Sequence, residues 1–381
     1  TRHGYDSRNR RISTEDPFGN TVGYAYDAQG NRTMLTYPGN KVVSYAYDAN
    51  HRLTTVTDWL TNTTTYSYDA AGRLTGTAHA NGTTASYDYD AADRLTGLSN
   101  RQADASVINQ YAYTLDTLGN PTAEDRTEPL GPVIPTAIRS NTHDAENRLV
   151  ATNGTANAFD ANGNLTQKGG AASYGYGVEN RLVQTQIDGA TTQYQYDGLG
   201  NRYQATRNGQ TTRYVLDTNT KLTNVLMETT AAGDPLAYNV YGRGLIARIL
   251  PSGTRLQYHY DSRGSTIAIT DQTQDLVQQY AYDPFGRQVN AQGSADNPFG
   301  YLGKYGVLAE GNDLTYIRAR YYDTEQQRFI SKDSYLGGYA ESQTLNRYIY
   351  ALNNPVRLID TSGFVATEVI QSTSSEQGAS N

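Results

Sequence analysis

The side chains of this chain that could do chemistry are mainly aspartates, arginines and tyrosines. There is no cysteine, which excludes thiol catalysis and disulfide bonds, and the five histidines, at positions 3, 51, 79, 143 and 259, are too widely spaced to indicate a metal site. Two carboxylates held close together can share a proton and act as base and acid on water. Many aspartates here follow a tyrosine, and for these we expect a role in turns, because aspartate can bond to the backbone ahead of it.

The tyrosine–aspartate pairs recur at a fixed interval. The second tyrosine of Tyr-x-Tyr-Asp falls at Tyr26, Tyr47, Tyr68 and Tyr89, a step of 21 residues, and a turn, an arginine and usually a leucine follow. Such a period indicates stacked copies of one small unit. Tyr-x-Tyr places two rings on one face of a strand and Arg-Leu-Thr starts a return strand, so each copy is predicted to be a β-hairpin. Because a lone hairpin is marginally stable, neighbouring hairpins are expected to pair into one long antiparallel sheet.

The repeat continues with drift to residue 283 and is interrupted twice. Residues 217–250 hold longer apolar runs and are predicted to be strands of a diverged repeat. Residues 119–140 are predicted to be a surface loop, because proline cannot donate ladder hydrogen bonds inside a sheet and this stretch carries Pro121, Pro129, Pro132 and Pro135. The first residues resemble the middle of a repeat and not a signal peptide, which predicts that the chain is part of a longer protein.

Composition limits the function classes. Tyrosine accounts for 33 of 381 residues, only 18% of residues are charged, and the net charge is −7 without a basic patch, so nothing indicates a nucleic-acid partner. There is no apolar run of about 18 residues, so no transmembrane helix is predicted. The tyrosine stripe could stack on sugar rings, but its recurrence in every repeat favours cross-strand packing.

The C-terminal third carries the most specific pattern. Four stretches follow one another in order: Tyr316-Ile317-Arg318-Ala319-Arg320-Tyr321-Tyr322-Asp323, Gln327-Arg328-Phe329-Ile330-Ser331-Lys332-Asp333, Asn346-Arg347-Tyr348-Ile349-Tyr350-Ala351-Leu352-Asn353-Asn354-Pro355 and Asp360-Thr361-Ser362-Gly363-Phe364. With the Tyr-Asp repeats, they resemble the YD/Rhs-repeat family and, at this end, the Rhs-associated core domain of bacterial Rhs proteins and of the C components of Tc toxins. The related repeats of teneurins, which are animal cell-surface proteins, lack this ending as a rule.

The resemblance implies an all-β fold in which YD-repeat hairpins form a long spiralling antiparallel sheet, a hollow shell or part of one, with a C-terminal core plug. It implies YD repeats over residues 1–299, the core domain over 300–364 and a polar tail over 365–381. It also implies a bacterial protein, secreted or at the cell surface as part of a larger protein. The expected partners are its own C-terminal polypeptide as cargo and a delivery-system protein. No cofactor, metal or nucleic acid is expected.

The same resemblance implies an activity, because the core of family members is an aspartic autoprotease. Position in the motif assigns Asp333 and Asp360 as the catalytic pair and places the cut between Phe364 and Val365. The family usually has leucine where this chain has Phe364, which is also large and apolar.

Two arginines are candidate supporting residues. Arg318 and Arg320 alternate with apolar residues on a predicted strand, and either could pair with a catalytic carboxylate, although a structural ion pair is the open alternative. The chain departs from the family after each aspartate, where Ser334 and Thr361 replace prolines that would pre-set a tight turn.

A second function class stays open. The chain could be a non-enzymatic extracellular repeat scaffold or adhesin with an inactive core, binding a cell-surface glycan. Residues 365–381 are polar at their end, and no folded toxin is expected within them. Self-cleavage of the purified chain separates the two hypotheses.

Overall fold

The computed structural model describes residues 1–133, 136, 138–337 and 342–369. Within them the regular structure is almost entirely antiparallel β, as the repeat predicts. Two long meandering sheets hold most of the strands, and strands that are consecutive in sequence are neighbours throughout both sheets. None of the helices in this part of the chain has the length and apolar character needed to cross a membrane.

The first sheet has 12 strands. They are β1 (Arg2–Tyr5), β2 (Arg11–Glu15), β3 (Thr21–Tyr26), β4 (Arg32–Tyr37), β5 (Lys41–Tyr47), β6 (Leu53–Thr57), β7 (Thr63–Tyr68), β8 (Leu74–Ala78), β9 (Thr84–Tyr89), β10 (Leu95–Arg101), β11 (Val107–Leu115) and β12 (Pro121–Thr127).

The second sheet has 16 strands. They are β13 (Asn141–His143), β14 (Leu149–Thr152), β15 (Thr155–Phe159), β16 (Leu165–Lys168), β17 (Ala172–Tyr176), β18 (Leu182–Ile187), β19 (Ala190–Tyr196), β20 (Arg202–Arg207), β21 (Gln210–Asp217), β22 (Asn224–Thr230), β23 (Pro235–Gly242), β24 (Gly244–Ile249), β25 (Arg255–Tyr260), β26 (Thr266–Thr270), β27 (Leu276–Tyr282) and β28 (Gln288–Gly293).

The C-terminal part forms two small sheets and three 3-10 helices. One sheet is β29 (Leu308–Gly311), β30 (Leu314–Ile317), β31 (Arg320–Asp323) and β32 (Arg328–Phe329), and the other is β33 (Leu358–Ile359) and β34 (Thr367–Glu368). The 3-10 helices are Gly303–Tyr305, Ser342–Leu345 and Ala351–Asn353.

One hairpin shows how the sequence of a repeat produces its turn. Asp48 Oδ1 accepts the N–H groups of Asn50 (2.9 Å) and Arg52 (3.0 Å), and Arg52 Nε donates to Asp48 Oδ2 (2.7 Å). His51 adopts the left-handed conformation, with φ 61°, where the next repeat has Gly72 with φ 88°. The aspartate therefore organises the turn through its side chain, as predicted for the repeat aspartates.

Each hairpin is also bonded to the next one. Arg52 Nη1 donates to the Asp69 carbonyl (3.3 Å), and its guanidinium lies over the Tyr68 ring, 4.7 Å from the centroid. The Tyr68 hydroxyl donates back to the Leu53 carbonyl (2.7 Å), next to the bulge in the β5–β6 pairing. The same tyrosine bond recurs along the chain, from Tyr26 to Arg11, Tyr47 to Arg32, Tyr89 to Leu74 and Tyr260 to Leu245. These inter-repeat bonds explain why the sequence period is regular.

The apolar runs predicted within residues 217–250 form strands of the second sheet in which nearly every residue is buried. These strands contact the first sheet, where the Tyr37 hydroxyl donates to the Asn239 carbonyl (2.7 Å). Strand β26, two positions beyond β24 in the same sheet, contacts the C-terminal part, where Thr266 N donates to the Gly300 carbonyl (3.0 Å). A strand covered on both faces reads as a continuous apolar run instead of an alternating one.

The C-terminal part also contacts earlier strands of the second sheet. Leu165 N, at the start of β16, donates to the Ile330 carbonyl (2.8 Å), and Lys168 Nζ lies 2.7 Å from Asp323 Oδ2. The segment that follows the repeats therefore packs between early and late strands of one continuous sheet.

A buried charge pair makes the closest of these contacts. Arg202 of β20 lies 2.6 Å from Glu310 of β29, and the two side chains are 0% and 2% exposed. Arg207 also contacts Glu310, at 2.7 Å. Four tyrosine rings surround the Arg202 guanidinium at centroid distances of 4.1 to 5.9 Å: Tyr194, Tyr214, Tyr316 and Tyr321.

The loop predicted for residues 119–140 is wrong in part. Pro121–Thr127 is strand β12, which lies at the edge of the first sheet and, among the residues that the structure describes, pairs with β11 alone. Proline is tolerated at the start of an edge strand, because its missing N–H faces no partner there. Pro135 lies outside the described residues.

We expect Tyr68→Phe to lower the free energy of unfolding by about 1 kcal/mol, because the Leu53 carbonyl then loses its hydrogen-bond donor. The matched control is Tyr5→Phe, at the same place in its own hairpin but 50% exposed on the edge strand β1. Urea unfolding followed by circular dichroism measures both. Equal effects at the two positions would contradict a role for the inter-repeat tyrosine bond.

We expect Glu310→Gln to destabilise the protein by about 3–5 kcal/mol, because it leaves the buried Arg202 guanidinium without a carboxylate. The C-terminal part should then become sensitive to limited proteolysis at temperatures where the wild type resists. The control is Glu179→Gln, which removes an exposed carboxylate that pairs with Arg181 at 3.1 Å. A melting temperature unchanged in Glu310→Gln would show that this pair does not hold the C-terminal part to the sheet.

Candidate functional site

The two predicted catalytic aspartates follow short strands of the C-terminal part. Asp333 comes soon after β32 and Asp360 directly after β33, and the residues are 7% and 3% exposed. Asp333 N donates to the Arg347 carbonyl (3.0 Å), and Phe329 N donates to the Tyr348 carbonyl (2.9 Å). These bonds pair the segment around Asp333 with the motif Asn346-Arg347-Tyr348. The sequence alone indicated no role for Arg347.

Buried aromatic packing positions Asp360. The Tyr350 hydroxyl accepts the backbone N–H of Asp360 (3.3 Å) and is bonded to the Tyr301 hydroxyl (3.0 Å). The Tyr350 ring also packs on Tyr322, with ring centroids 4.4 Å apart. The packed tyrosines therefore fix the position of Asp360 at the end of β33.

Arg320 joins the two aspartates. Its Nη2 atom lies 2.7 Å from Asp333 Oδ2 and 3.8 Å from Asp360 Oδ2, so both carboxylates face the same guanidinium nitrogen. Its carbon atom Cζ lies 3.6 Å from the centroid of the Phe329 ring. Arg320 Nε donates to the carbonyl of Gly363 (2.5 Å), the residue that precedes Phe364. The structure thus brings together three of the residues that the sequence singled out.

Burial alters the acidity of this cluster. Burial raises the pKa of Asp360, while the Arg320 guanidinium and the N–H groups of Gly363 and Ser362 act in the opposite direction. Burial likewise lowers the pKa of Arg320 to about 10, against the attraction of the two carboxylates. Asp360 therefore takes up a proton more readily than an ordinary aspartate, whereas Asp333 makes the closer ion pair.

The Asp360 carboxylate organises the turn that carries the predicted cut. Its Oδ1 atom accepts N–H groups of Ser362 (3.1 Å), Gly363 (2.8 Å) and Phe364 (3.2 Å), and the Ser362 hydroxyl (3.0 Å). Gly363 has φ +81°, and a Cβ there would lie 2.4 Å from the Ile317 carbonyl oxygen, so only glycine fits.

Side-chain hydrogen bonds therefore shape the turn in which the family has proline. The Asp333 side chain makes a similar bond, accepting Tyr335 N–H at 2.8 Å. Although Ser334 and Thr361 stand where the family has proline, aspartate side chains close both turns.

The predicted cut lies at the surface next to these groups. Phe364 is 47% exposed and Val365 61% exposed. Ser362 Oγ accepts the N–H of Phe364 (3.1 Å) and of Val365 (3.3 Å). Val365 N is the atom that would leave if the peptide bond were hydrolysed. Ser362, to which the sequence assigned no role of its own, contacts both that nitrogen and Asp360.

Arg318 lies apart from the carboxylates. It donates to the carbonyls of Thr223 (3.1 Å), Thr361 (2.7 Å) and Tyr305. Its φ is 45°, and it forms a two-residue turn with Ala319, because Ile317 and Arg320 pair across the hairpin. The prediction that Arg318 and Arg320 alternate along one strand is wrong; no Gly or Asn marks this turn in the sequence.

Comparisons with known proteins agree with this fold. The family model Teneurin YD-shell matches residues 133–356, and the model RHS Repeat matches residues 5–42, 35–63, 47–84 and 68–105. The tRNA nuclease WapA of Bacillus subtilis (strain 168) is 34% identical over 224 residues, which is 57% of this chain and 9% of that protein. Teneurin-3 of Danio rerio is 26% identical over 227 residues, covering 57% of this chain and 8% of the relative.

Solved structures extend the likeness in fold over more of the chain. The crystal structure of TcdB2–TccC3–Cdc42 matches with a TM-score of 0.66 at 17% identity, covering 91% of this chain and 22% of that one. The structure of TcdB2–TccC3 without its hypervariable C-terminal region gives 0.67 at 18% identity, with 91% and 21% covered. The chain spans less than a tenth of the curated relatives and about a fifth of these solved chains. Its repeats, its long antiparallel sheets and these matches together show that the chain belongs to the YD/Rhs-repeat family and has that family's β-shell fold.

Proposed function

We propose that this chain is part of an encapsulating β-shell of a bacterial toxin-type protein and that it cleaves itself after Phe364. Residues 1–299 would form the shell, 300–364 the core that carries the protease, and 365–381 the start of the released segment. The observation that carries the proposal is the placement of Arg320 between Asp333 and Asp360, with its Nε on the carbonyl of Gly363, the second residue before the cut. The likeness to secreted and cell-surface relatives supports export within a larger protein and a delivery-system partner.

The residues suit hydrolysis of the Phe364–Val365 peptide bond. Asp333, paired with Arg320, takes a proton from a water molecule, whose oxygen attacks the Phe364 carbonyl carbon. Asp360, which holds a proton readily, supplies one to Val365 N as the C–N bond breaks. The Ser362 hydroxyl lies between Asp360 and Val365 N and can pass that proton on. The products are a carboxylate at Phe364 and an amine at Val365, so one water molecule is consumed and no cofactor is required.

A non-enzymatic scaffold is the second candidate, and one observation favours it. Both carboxylates already have structural partners, since Arg320 pairs with Asp333 and Asp360 closes a turn. Glycan binding by the tyrosine stripe is not favoured, because the ring faces that would stack on sugars are buried: Tyr24, Tyr45, Tyr66 and Tyr194.

We expect Asp333→Asn and Asp360→Asn each to reduce self-cleavage by about 100-fold or more, because one carboxylate cannot act as both base and acid. Asparagine at 360 keeps an oxygen acceptor for the three backbone N–H groups, so the fold should survive. Both variants and wild type would carry an extended C-terminal tail, and intact-mass spectrometry would locate the cut. Asp296→Asn, at a carboxylate that is 93% exposed, serves as a control that should still cleave.

Cleavage that persists in either variant would sink the two-aspartate mechanism. An intact wild type would favour the scaffold instead, and a cut at another peptide bond would contradict the assignment of Phe364.

The pH dependence of cleavage should reflect the protonation of the buried Asp360 carboxyl group. Because burial raises the pKa of Asp360 above its ordinary 3.8, the protonated form persists at pH values where an exposed aspartate is ionised. Cleavage should therefore continue above pH 3.8 and decline as the pH rises through the folded pKa of Asp360. Uncleaved chain refolded from urea into buffers of different pH would be followed by gel, with tyrosine fluorescence giving the refolding rate. A rate that rises steadily toward alkaline pH would contradict Asp360 as the acid.

A further inference from the structure

The residues that follow the predicted cut pair with the strand that precedes Asp360. Strands β33 and β34 are antiparallel, with Leu358 opposite Glu368 and Ile359 opposite Thr367. Val369 N donates to the Arg357 carbonyl (2.8 Å), which extends the pairing by one residue. The Thr367 hydroxyl donates to the Ile359 carbonyl (3.3 Å). We call β33, residues 360–366 and β34 the tail hairpin.

Two side chains anchor the far strand of the tail hairpin. Arg357 Nη2 lies 2.5 Å from Glu368 Oε1, and Val369 packs against the hydrophobic core. Arg357 Nη1 also donates to Asn120 Oδ1 (3.0 Å), in the turn between β11 and β12. The Asn120 amide in turn donates to Asp116 (2.8 Å), so a repeat turn of the first sheet holds the arginine in place.

The tail hairpin fixes the chain on both sides of the Phe364–Val365 bond. On one side β33 ends directly before Asp360, and on the other β34 begins at Thr367. The residues between them are held by the bonds of Asp360 and Ser362. A peptide bond held at both ends has few orientations available, and such positioning can contribute several orders of magnitude to a rate.

We propose that β33, with Arg357, is a peptide-binding strand that presents the scissile bond and retains the segment after it is cut. It would bind an extended segment by strand addition, with an acidic residue on Arg357 followed by an apolar residue against the core. This inference rests on the proposed self-cleavage for its timing, although the binding itself does not require a cut. Because a pairing of two residues is weak by itself, the retained segment would dissociate and rebind repeatedly. Its effective concentration at the strand is high only while the segment stays nearby.

A charge exchange tests the binding strand in the full-length chain. The variants are Arg357→Glu, Glu368→Arg and the two together, with Arg2→Glu as an exposed charge control. Hydrogen–deuterium exchange of the peptides covering residues 365–369 is the first measurement. We expect either single variant to exchange at least about tenfold faster than wild type, and the double variant to recover most of the protection, because the ion pair is rebuilt in reverse.

Cleavage and retention are the second and third measurements. Each single variant should cleave about tenfold more slowly than wild type, because the bond is less well positioned. After cleavage, native mass spectrometry should show the released segment bound to wild type and to the double variant and lost from the single variants. Arg2→Glu should behave as wild type in all three measurements.

The outcomes separate this proposal from the proposed function. One outcome is that the single variants lose the exchange protection of residues 365–369 and the double variant regains it, while the wild type is never cut. That outcome would support the binding strand and overturn the self-cleavage. Rapid exchange of these residues in wild type would overturn the binding strand, whether or not the chain is cut. Single variants that cleave and retain the segment as wild type does would also overturn it.

Discussion

The bonds between successive hairpins are the interaction on which the rest of this structure depends. In several repeats, such as those of Asp48 and Asp69, the aspartate closes its own turn, and the arginine four residues later bonds both to it and to the carbonyl of the next repeat's aspartate. The tyrosine of that next repeat lies under the guanidinium and donates back to the preceding hairpin. No hairpin of this kind is stable alone, so the sheet forms because every turn is completed by its neighbour. Partly exposed ion pairs add little individually, but here they act through fixed backbone carbonyls and aromatic rings.

A second constraint comes from the C-terminal part, which packs on the sheet and is held to it at several strands. The buried Arg202–Glu310 pair and the Lys168–Asp323 pair join it to early strands, and backbone bonds to β26 join it to late ones. The candidate site inherits its rigidity from this packing. Arg320 can stand between two carboxylates because β31 is paired on both sides and Phe329 covers its guanidinium.

Much of the fold could be predicted because the repeat is local. Tyr-x-Tyr-Asp and the following arginine specify a hairpin through bonds within a few residues, and the period specifies stacking. The apolar runs within residues 217–250 could be identified as strands, but their coverage on two sides depends on partners distant in sequence. The edge strand at Pro121 could not be predicted for a similar reason, since proline is tolerated at the edge of a sheet and the sequence does not show where the sheet ends.

The site itself was predictable only through family motifs. Nothing local indicates that Asp333 and Asp360 approach the same guanidinium, because that depends on the pairing of residue 329 with 348 and on the tyrosine core. Arg318 and Arg320 look equivalent in the sequence. In the structure Arg318 lies in a two-residue turn, whereas Arg320 begins strand β31. The role of Arg357 could not be inferred at all, since its partners lie at Asn120 and Glu368.

The 21-residue unit of the first sheet is matched to the second sheet by contacts that do not repeat. The Tyr37 hydroxyl of β4 donates to the Asn239 carbonyl, and the Asn81 amide, in the turn between β8 and β9, donates to the Thr270 hydroxyl. The second sheet is in turn held by the C-terminal part, because β16, β20 and β26 each contact a particular residue there. A unit added or lost between β4 and β9 would therefore separate one of these pairs. Variation in the number of repeats should accordingly involve both sheets together, and the capacity of the shell should not change through the N-terminal half alone.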